Sequence, residues 1–408
     1  MITRDSASQI SVYVRIKNMQ LDSIEATHFR NLSGKISWGP HLNIIFGNNG
    51  QGKTNWLEAI YVLARSKSFR TARLQEAIAF GNQSAIINGK ITGGKTLERE
   101  LQVSLQANTK QLTVNGKREP LARYLTQLQV FSFTAADLEV VRGVPDARRR
   151  FIDRGVASLR PAYINTISDY SRVIKQKNTI LQSASENEFS QAAVEDLLAP
   201  WNDQLVQLAG QIHRARSEYV ERLNNLLERQ LFDRCDLQIR HVSSVEGKGE
   251  MTDYETLLRQ RLQLRMGAEI AAGHALIGPH RDDLQILLEN REIRIYGSAG
   301  QQRSTLLLLD LAAISLYNST HDDQPLFVID DVDAELDERR IKDLLEYLDG
   351  RTQTFITTSK RTPVEGFLSR ANLYEIVEGR VRNVVGEPDR LSATLDADFT
   401  SSESGDYQ

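Results

Sequence analysis

Residues 47–54 have the composition of a loop that binds phosphate groups. They read GNNGQGKT and match the pattern G-x-x-x-x-G-K-[ST] in full. Glycines let the backbone N–H groups turn towards phosphate oxygens. Lys53 would bring a positive charge to the β- and γ-phosphates, and Thr54 would bring a hydroxyl group for Mg²⁺. The candidate nucleotide-binding residues are Gly47, Asn48, Asn49, Gly50, Gln51, Gly52, Lys53, Thr54 and Asn55.

A second pair of candidates follows an apolar strand predicted at residues 326–329, which ends in Asp330 and Asp331. Two carboxylates at the end of a hydrophobic strand are costly unless they bind something. Beside a phosphate-binding loop, Asp330 would hold Mg²⁺ through its waters and Asp331 would orient the attacking water. We therefore assign catalytic roles to Lys53 and Asp331. A solvated strand end is the alternative.

Residues 297–303, GSAGQQR, precede an apolar helix predicted at residues 306–316. Small residues and free N–H groups at a helix N-terminus suit a second phosphate contact, with an ordinary capped helix as the alternative. Residues 277–284, IGPHRDDL, place a histidine, an arginine and two aspartates between a turn and a strand. This segment is either a functional site or a polar loop with internal pairing.

The elements around these residues must bring them together. Residues 42–46 predict a buried strand, and residues 55–65 have apolar side chains at helical spacing. Strand, loop and helix in this order is the context in which the phosphate-binding pattern functions; a glycine turn before a helix is the alternative. Further strands are predicted at residues 85–91, 97–105, 111–114, 128–133 and 354–357, and the first three indicate an antiparallel lobe.

From Pro145 onwards, apolar side chains recur at helical spacing. Two amphipathic helices, separated by a polar break at residues 183–190, predict an antiparallel hairpin. On its solvent-facing side, Glu218 is expected to pair with Arg214 and Arg222, each four residues away. Residues 284–288 and 292–296 then predict a β-hairpin.

Length and composition limit the class of protein. The chain has 408 residues, of which 40% are hydrophobic and 25% charged, as expected for a soluble globular protein with two or three domains. No apolar run suits a membrane span or a signal peptide, so we predict a cytoplasmic location. The single cysteine, Cys235, excludes an intrachain disulfide and a cysteine-based zinc site. Because the net charge is −3, any DNA contact must come from local basic patches.

Together these segments resemble the RecF family, whose ABC-type ATPase head is related to SMC proteins and Rad50. The similar segments are GNNGQGKTNWLEAIYVLARSKSFRT, RRRFID, WNDQL followed by IHRAR, GPHRDDL, GSAGQQR and IDDVDAELDERR. GPHRDDL and GQQR are specific, whereas the phosphate-binding loop (P-loop) alone indicates only an NTPase. The resemblance implies an α/β fold, an ABC-type P-loop ATPase head assembled from N- and C-terminal segments, with an antiparallel β lobe and an inserted α-helical arm.

The resemblance and the composition of the two ends together predict a division of the chain into five parts. These are an N-terminal extension (1–18), a first half of the head with the P-loop and the β lobe (19–144), a helical arm (145–272), a second half with the signature and the aspartate pair (273–385), and an acidic tail expected to be disordered (386–408).

In ABC-type heads, the signature of one subunit completes the ATP site of the other. One P-loop and one signature fit a symmetric dimer that forms on ATP binding and buries two ATP molecules. Ser298, Gly300 and Gln301 would then face the partner's γ-phosphate, and Thr54 and Asp330 would hold Mg²⁺. Many ABC proteins have Glu where this chain has Asp331, and a carboxylate displaced by about 1 Å predicts slow ATP turnover.

The resemblance further implies binding to double-stranded DNA and to junctions of single- and double-stranded DNA. RecR and RecO would be partners, and the complex would help to load RecA. The candidate DNA contacts are Arg65, Lys67, Arg70, Arg73, Arg148, Arg149 and Arg150, each with a solvated charged face as its alternative. The alternative functions are an SMC- or Rad50-like structural tether, a transporter ATPase subunit, and a DNA clamp with negligible hydrolysis.

Overall fold

The computed structural model describes residues 19–93, 97–186, 190–227, 236–360, 362–367 and 370–385. The predicted N-terminal extension, the predicted acidic tail and Cys235 lie outside the described residues. The strands are β1 Met19–Phe29, β2 Leu32–Ser37, β3 Leu42–Phe46, β4 Ser84–Gly93, β5 Leu97–Gln106, β6 Lys110–Val114, β7 Lys117–Arg118, β8 Val130–Phe133, β9 Leu237–Val242, β10 Asp283–Leu288, β11 Arg291–Glu292, β12 Leu326–Ile329, β13 Gln353–Thr358, β14 Ala371–Val377 and β15 Arg380–Val385. The helices are α1 Lys53–Arg65, α2 Leu121–Tyr124, α3 Glu139–Arg142, α4 Pro145–Leu159, α5 Tyr163–Glu186, α6 Gln191–Leu227, α7 Tyr254–Leu264, α8 Met266–Ala272, α9 Ile293–Tyr296, α10 Ala299–Thr320, α11 Val332–Glu335 and α12 Glu338–Leu348.

A six-stranded sheet in the order β15-β14-β3-β13-β12-β8 forms the centre of the head. Strands β14, β3, β13, β12 and β8 run parallel to one another, and only β15 is antiparallel. Strands from the N- and C-terminal segments are therefore interleaved within one sheet, which confirms the predicted assembly of the head from distant segments. Because β3 and β12 both flank β13 in the same direction, the residues that follow them meet at one edge.

Alternate residues of β12 serve two different apolar clusters. Phe327 and Ile329 face the cluster that contains α10 and the arm. Leu326 and Val328 face the cluster that contains α1 and the antiparallel lobe. This two-residue period means that both faces of the central sheet are covered, which explains why the strand is apolar throughout.

The predicted antiparallel lobe is present as a second six-stranded sheet, in the order β2-β1-β4-β5-β6-β7. Asn115 and Gly116 form the turn that joins β6 to β7, and both residues have positive φ, 49° and 73°. Such angles are those of the tight hairpin turns that match the twist of the flanking strands.

The arm contains the predicted hairpin, formed by α5 and α6 packed against each other. The polar residues from Ser183 do not end the first helix, which continues to Glu186. The predicted pairing of Glu218 is wrong. Glu218 pairs with Arg160 at 2.5 Å, and Arg214 pairs with Glu255 of α7. These ion pairs therefore join the hairpin to its neighbours, not successive turns of one helix.

The predicted strand at residues 292–296 is also wrong. After the turn at Glu289 and Asn290, β11 ends at Glu292, and the next four residues form α9. The buried side chain of Ile293 anchors this helical turn, and the Gly297 N–H donates to its carbonyl at 2.9 Å. Within the predicted arm, β9 pairs with β10 of the second half of the head, so the base of the arm shares a sheet with the head. No described helix has the length and apolar character needed to cross a membrane.

An ion pair between Lys177 of α5 and Glu269 of α8 lies entirely within the arm. The Lys177 ammonium is 2.7 Å from Glu269 Oε2 and donates to Asn202 Oδ1 at 2.9 Å, and both charged side chains are fully buried. Burial lowers the pKa of Lys177, while the Glu269 carboxylate opposes that shift.

We expect Lys177→Met to destabilise the protein by roughly 3–5 kcal/mol, because it leaves the Glu269 carboxylate buried without its partner. Urea unfolding followed by circular dichroism measures this change. The exposed Lys175→Met on the same helix is the control and should have almost no effect. Adding Glu269→Gln to Lys177→Met should recover most of the loss. Equal stabilities of the two lysine variants would contradict the expectation.

Candidate nucleotide-binding site

The P-loop connects β3 to α1 at the edge where the parallel strands end. Helix α1 begins at Lys53, and Gly52 occupies its N-cap with a φ of 104°. The strand and helix predicted around this loop are therefore confirmed. Asn48, Asn49 and Gly50 form its exposed rim, so the loop presents uncharged groups and helix-end N–H groups to solvent.

The Lys53 side chain folds back over the loop. Its ammonium group donates to the carbonyl oxygens of Gly47 at 2.7 Å and Asn48 at 3.1 Å. Burial lowers the pKa of Lys53, and the negative charges of the three nearby aspartates, Asp331, Asp333 and Asp330, oppose this shift. The amine is thus held where it can meet phosphate oxygens that enter the loop.

Asp330 brings together three segments that are far apart in sequence. Its Oδ1 accepts hydrogen bonds from Thr54 Oγ1 at 2.9 Å and from Thr357 Oγ1 at 2.7 Å. Thr54 and Asp330 therefore offer two adjacent oxygen ligands of the kind that Mg²⁺ prefers. Mg²⁺ usually takes one or two protein oxygens and completes its shell with phosphate oxygens and water, so these residues fit the ion. Within the described residues there is no cluster of three or more His, Cys, Asp or Glu side chains suited to a metal.

Asp331 adopts a left-handed backbone conformation, with φ of 52° and ψ of 53°. Its N–H donates to Thr357 Oγ1 at 2.7 Å, which holds the residue in this strained conformation. Burial, together with the charges of Asp333 and Asp330, raises the pKa of the Asp331 carboxyl group. A carboxylate with a raised pKa accepts a proton more readily, as a general base requires.

Asp333 and the end of β13 form a contact that the sequence did not reveal. The Asp333 carboxylate accepts hydrogen bonds from Thr358 Oγ1 at 2.8 Å, from the Ser359 N–H at 3.2 Å and from Ser359 Oγ at 2.8 Å. Burial alone would raise the pKa of Asp333, but these hydrogen bonds outweigh it and lower the pKa. Because Thr358 ends β13 and Ser359 follows it, Asp333 fixes the end of the strand that neighbours β3, from which the P-loop begins.

The turn between β14 and β15 lies against the P-loop, which the sequence also did not reveal. The Gly379 N–H donates to the Gln51 carbonyl at 2.7 Å, and the Glu378 N–H donates to Gln51 Oε1 at 2.8 Å. Trp56 Nε1 of α1 donates to the Gly379 carbonyl at 3.1 Å. Gly379 has φ of 79°, and a Cβ atom there would lie 2.1 Å from the carbonyl oxygen of Asn31. Only glycine fits this contact.

The predicted signature residues lie at the start of α10. Ser298 is its N-cap and forms a capping box with Gln301: the Gln301 N–H donates to Ser298 Oγ at 3.2 Å, and the Ser298 N–H donates to Gln301 Oε1 at 2.8 Å. The Ser298 hydroxyl proton remains available to a phosphate oxygen. Farther along α10, Arg303 Nε donates to Glu335 Oε2 at 2.6 Å. This ion pair joins the signature helix to α11, which follows Asp331 directly.

The candidate DNA-binding arginines differ in accessibility. Arg148 is buried and pairs with Asp283 through two hydrogen bonds of 2.6 and 2.9 Å. Arg149 donates to the Asp282 carbonyl at 2.8 Å, and Arg65 lines an interior cavity and contacts Gln129. All three side chains form contacts within the protein, with Arg148 buried and Arg65 and Arg149 half-buried, so they are less accessible to DNA than the other four candidates. The exposed candidates are Lys67, Arg70, Arg73 and Arg150; Arg70 contacts Asn55 at 2.5 Å, and Arg150 pairs with Asp146.

The polar side chains of the GPHRDDL segment bond to other elements of the fold, and not to one another as its second interpretation predicts. The buried Asp282 carboxylate accepts from the Ser244 N–H at 2.8 Å and contacts His241 at 3.2 Å and Arg216 at 3.4 Å. Nearby, His280 Nδ1 lies 2.7 Å from the Tyr170 hydroxyl, and burial lowers the pKa of His280 to about 4. This segment therefore joins the hairpin α5–α6 to the sheet of β9 and β10.

Comparison with known proteins adds to this geometry. A family model for the RecF/RecN/SMC N-terminal domain matches residues 20–379. The DNA replication and repair protein RecF of Shouchella clausii is 34% identical, over 90% of this chain and 100% of its own length. That of Lactobacillus johnsonii is 36% identical, over 89% and 99%. The chain belongs to the RecF family.

Solved structures agree with this RecF-family assignment. A structure of the recombination mediator protein RecF-ATP in the RecFOR pathway has a TM-score of 0.82 at 27% identity, over 91% of this chain and 99% of that one. An Smc head domain from Pyrococcus furiosus, bound to the C-terminal domain of ScpA, has a TM-score of 0.53 at 14% identity, over 90% and 96%. The second likeness concerns the fold alone. The predicted ABC-type ATPase head is thus confirmed.

Gly379 contacts the P-loop from the turn between β14 and β15. We therefore expect Gly379→Ala to raise the dissociation constant of the nucleotide complex by about tenfold or more, which corresponds to a loss of about 1.4 kcal/mol of binding free energy. Titration with a fluorescent ATP analogue measures the change. Gly350→Ala is the matched control, since Gly350 also has a positive φ, 70°, but no atom lies within 4 Å of its added Cβ. An unchanged affinity in the folded Gly379 variant would refute the role of this turn.

Proposed function

We propose that this RecF-family chain is an ATP-driven molecular switch that binds DNA in replication and recombinational repair. The observation that carries the proposal is the convergence of the P-loop, Asp330 and Thr357 at one edge of the central sheet. The similar structure described as RecF-ATP supports ATP as the nucleotide. In this proposal the nucleotide phosphates occupy the P-loop beneath the Lys53 ammonium group.

The side chains at this edge have different roles in ATP hydrolysis. Thr54 and Asp330 would hold Mg²⁺, which neutralises phosphate charge when bound. Asp331 takes a proton from the attacking water, and its raised pKa suits this role. Thr357 fixes both aspartates through one hydroxyl group. The short side chain of Asp331 makes turnover slow, as a timing switch requires.

The signature acts on the nucleotide of a second copy of the chain. Ser298, Gly300 and Gln301 lie at an exposed helix start, and the free hydroxyl proton of Ser298 can donate to a γ-phosphate oxygen. A symmetric dimer would therefore enclose two ATP molecules. The Arg303–Glu335 ion pair supports this proposal, because it couples the signature helix to the segment that follows Asp331.

DNA is the proposed macromolecular ligand, bound as duplex or at junctions of single- and double-stranded DNA. Together with RecR and RecO, the dimer would help to load RecA; the RecFOR pathway of the similar structure supports these partners. Lys67, Arg70, Arg73 and Arg150 are the accessible candidates for phosphate contact. Residues 145–272 serve as the arm of the proposed domain division. Helix α6 packs against α5, β9 and α7, and α5 also packs against α8, which favours a switch over a long tether.

Sedimentation velocity with and without ATP and Mg²⁺ tests the proposal. We expect ATP to convert monomers to dimers, since the nucleotide bridges the P-loop of one copy and the signature of the other. Lys53→Met should abolish the dimer through lost phosphate binding, and Ser298→Arg should abolish it by blocking the shared site. Asp331→Asn should prolong the dimer and reduce turnover by about 10²-fold or more.

Nucleotide binding by the monomer is the control for these variants. Ser298→Arg should bind a fluorescent ATP analogue as the unaltered protein does, whereas Lys53→Met should not. A protein that binds ATP but stays monomeric would exclude the shared site and leave a single-chain nucleotide switch.

DNA binding should depend steeply on salt if Lys67 and Arg73 contact phosphates. We expect the double change Lys67→Gln and Arg73→Gln to reduce the slope of log affinity against log salt by about two, since each lost phosphate contact removes roughly one. Fluorescence anisotropy with labelled duplex and gapped DNA measures the slope. Arg172→Gln on the arm, also exposed, is the matched control. Equal slopes would remove Lys67 and Arg73 from the DNA surface.

A further inference from the structure

A phenylalanine side chain lies fully in solvent on the connection between α1 and β4, residues 66–83. Phe80 has a relative exposure of 106%, the highest among the large apolar side chains that the structure describes. A single exposed apolar residue is ordinary at a protein surface. The backbone that holds Phe80 and the charges around it therefore decide whether this side chain has a role.

The turn that carries Phe80 is anchored to the hairpin of β1 and β2. The Asn82 N–H donates to the Ala79 carbonyl at 3.0 Å, which closes the turn. Gly81 has φ of 80°, as the third residue of a type II turn requires. The Ala79 N–H donates to the His28 carbonyl of β1 at 2.8 Å. The phenyl ring thus stands at the tip of an anchored turn.

The backbone beneath this turn is strained on both sides of a buried residue. His28 and Arg30 have φ of 54° and 53°, which non-glycine residues rarely adopt, and Phe29 between them is fully buried. Phe29 forms a β-bridge with Ile78. The Arg30 N–H donates to the Ala77 carbonyl at 2.7 Å. Strain of this kind occurs preferentially at functional sites, and here it supports the segment that leads into the turn.

Three exposed cations precede Phe80 on the same connection: Lys67, Arg70 and Arg73. The buried Glu58 carboxylate accepts from Arg30 at 2.8 Å and from Arg70 at 3.4 Å, so the basic segment and the turn are attached to one hairpin. An exposed aromatic ring beside positive charges is typical of nucleic-acid contacts, in which the cations meet phosphates and the ring stacks on a base. DNA supplies both of these groups, whereas a protein partner would need separate acidic and apolar surfaces.

We propose that Phe80 stacks on the last base pair of a duplex, at the point where double-stranded DNA continues as a single strand, and that it distinguishes this junction from continuous duplex. The inference rests on the proposed function, in which this chain binds DNA. Within a continuous duplex both faces of each base pair are covered, so a ring can stack only where neighbouring pairs are first separated. At a junction one strand ends, and part of the last pair is open to the ring. The cations bind either DNA, because phosphates are present in both.

The variant Phe80→Ser tests the inference by fluorescence anisotropy with ATP and Mg²⁺. The two labelled DNAs are one duplex closed by hairpin loops at both ends and the same duplex with a short gap in one strand, so that they differ only in the gap. We expect the unaltered protein to prefer the gapped DNA, and Phe80→Ser to reduce this preference by about tenfold, because the stacked ring is lost. The affinity for the continuous duplex and its salt dependence should not change.

Two further variants serve as controls. Phe80→Trp should keep the preference for gapped DNA, because an indole ring also stacks on bases. Its tryptophan emission should be quenched more by gapped DNA than by continuous duplex, and more than the emission of the unaltered protein. Leu264→Ser removes an apolar side chain that is 72% exposed at the end of α7 in the arm, and it should leave the preference unchanged.

A Phe80→Ser variant that keeps the full preference would overturn the inference, and so would one that binds both DNAs more weakly by the same factor. Loss of the ATP-dependent dimer in this variant, with the preference intact, would assign Phe80 to a protein contact instead. An unaltered protein that binds both DNAs equally well would overturn the inference and leave the proposed DNA-binding switch. One that binds neither DNA would overturn both proposals.

Discussion

The carboxylate of Asp330 is the point on which the site depends. One of its oxygens accepts hydrogen bonds from Thr54, at the start of α1, and from Thr357, at the end of β13. These contacts form only because β3, β13 and β12 are adjacent, parallel and in register. A shift of one residue in any of them would turn the side chains to the opposite face. The proposed hydrolysis of ATP therefore requires this order of strands in the sheet.

The central sheet has a different layer of the protein packed on each of its two faces, and the candidate site lies at the edge of the sheet between these layers. One face packs on α1 and the antiparallel lobe, and the other packs on α10 and the arm. Asp331 and Asp333 lie between them, tied to Thr357, Thr358 and Ser359 by hydrogen bonds. A rearrangement at these strand ends therefore acts on both layers at once, since close-packed layers transmit displacements.

Local patterns were sufficient to predict where the P-loop and the aspartate pair lie, whereas contacts between distant segments could not be predicted. The P-loop and the aspartate pair were predictable because each is a contiguous motif next to an apolar strand, and parallel strands bring their ends to one edge. The role of Gly379 was not predictable, since it contacts Gln51 across more than 300 residues of sequence. The run Arg148–Arg150 shows the same limit, because a charge pattern does not reveal that Arg148 is buried against Asp283. The segment after Glu292 suits a strand by its residue types, but burial of Ile293 favours a helical turn.

The pairing of β9 with β10 has a consequence for how such a protein can diversify. Because β9 comes from the arm and β10 from the second half of the head, the arm cannot be removed or replaced without disrupting a sheet that it shares with the head. The buried Asp282, which contacts Arg216 of α6 and His241 of β9, reinforces this attachment. Insertions and deletions at the far end of the α5–α6 hairpin would leave these contacts intact. The length of the arm can therefore change during evolution, whereas the place and the direction in which it leaves the ATPase head remain fixed by the head.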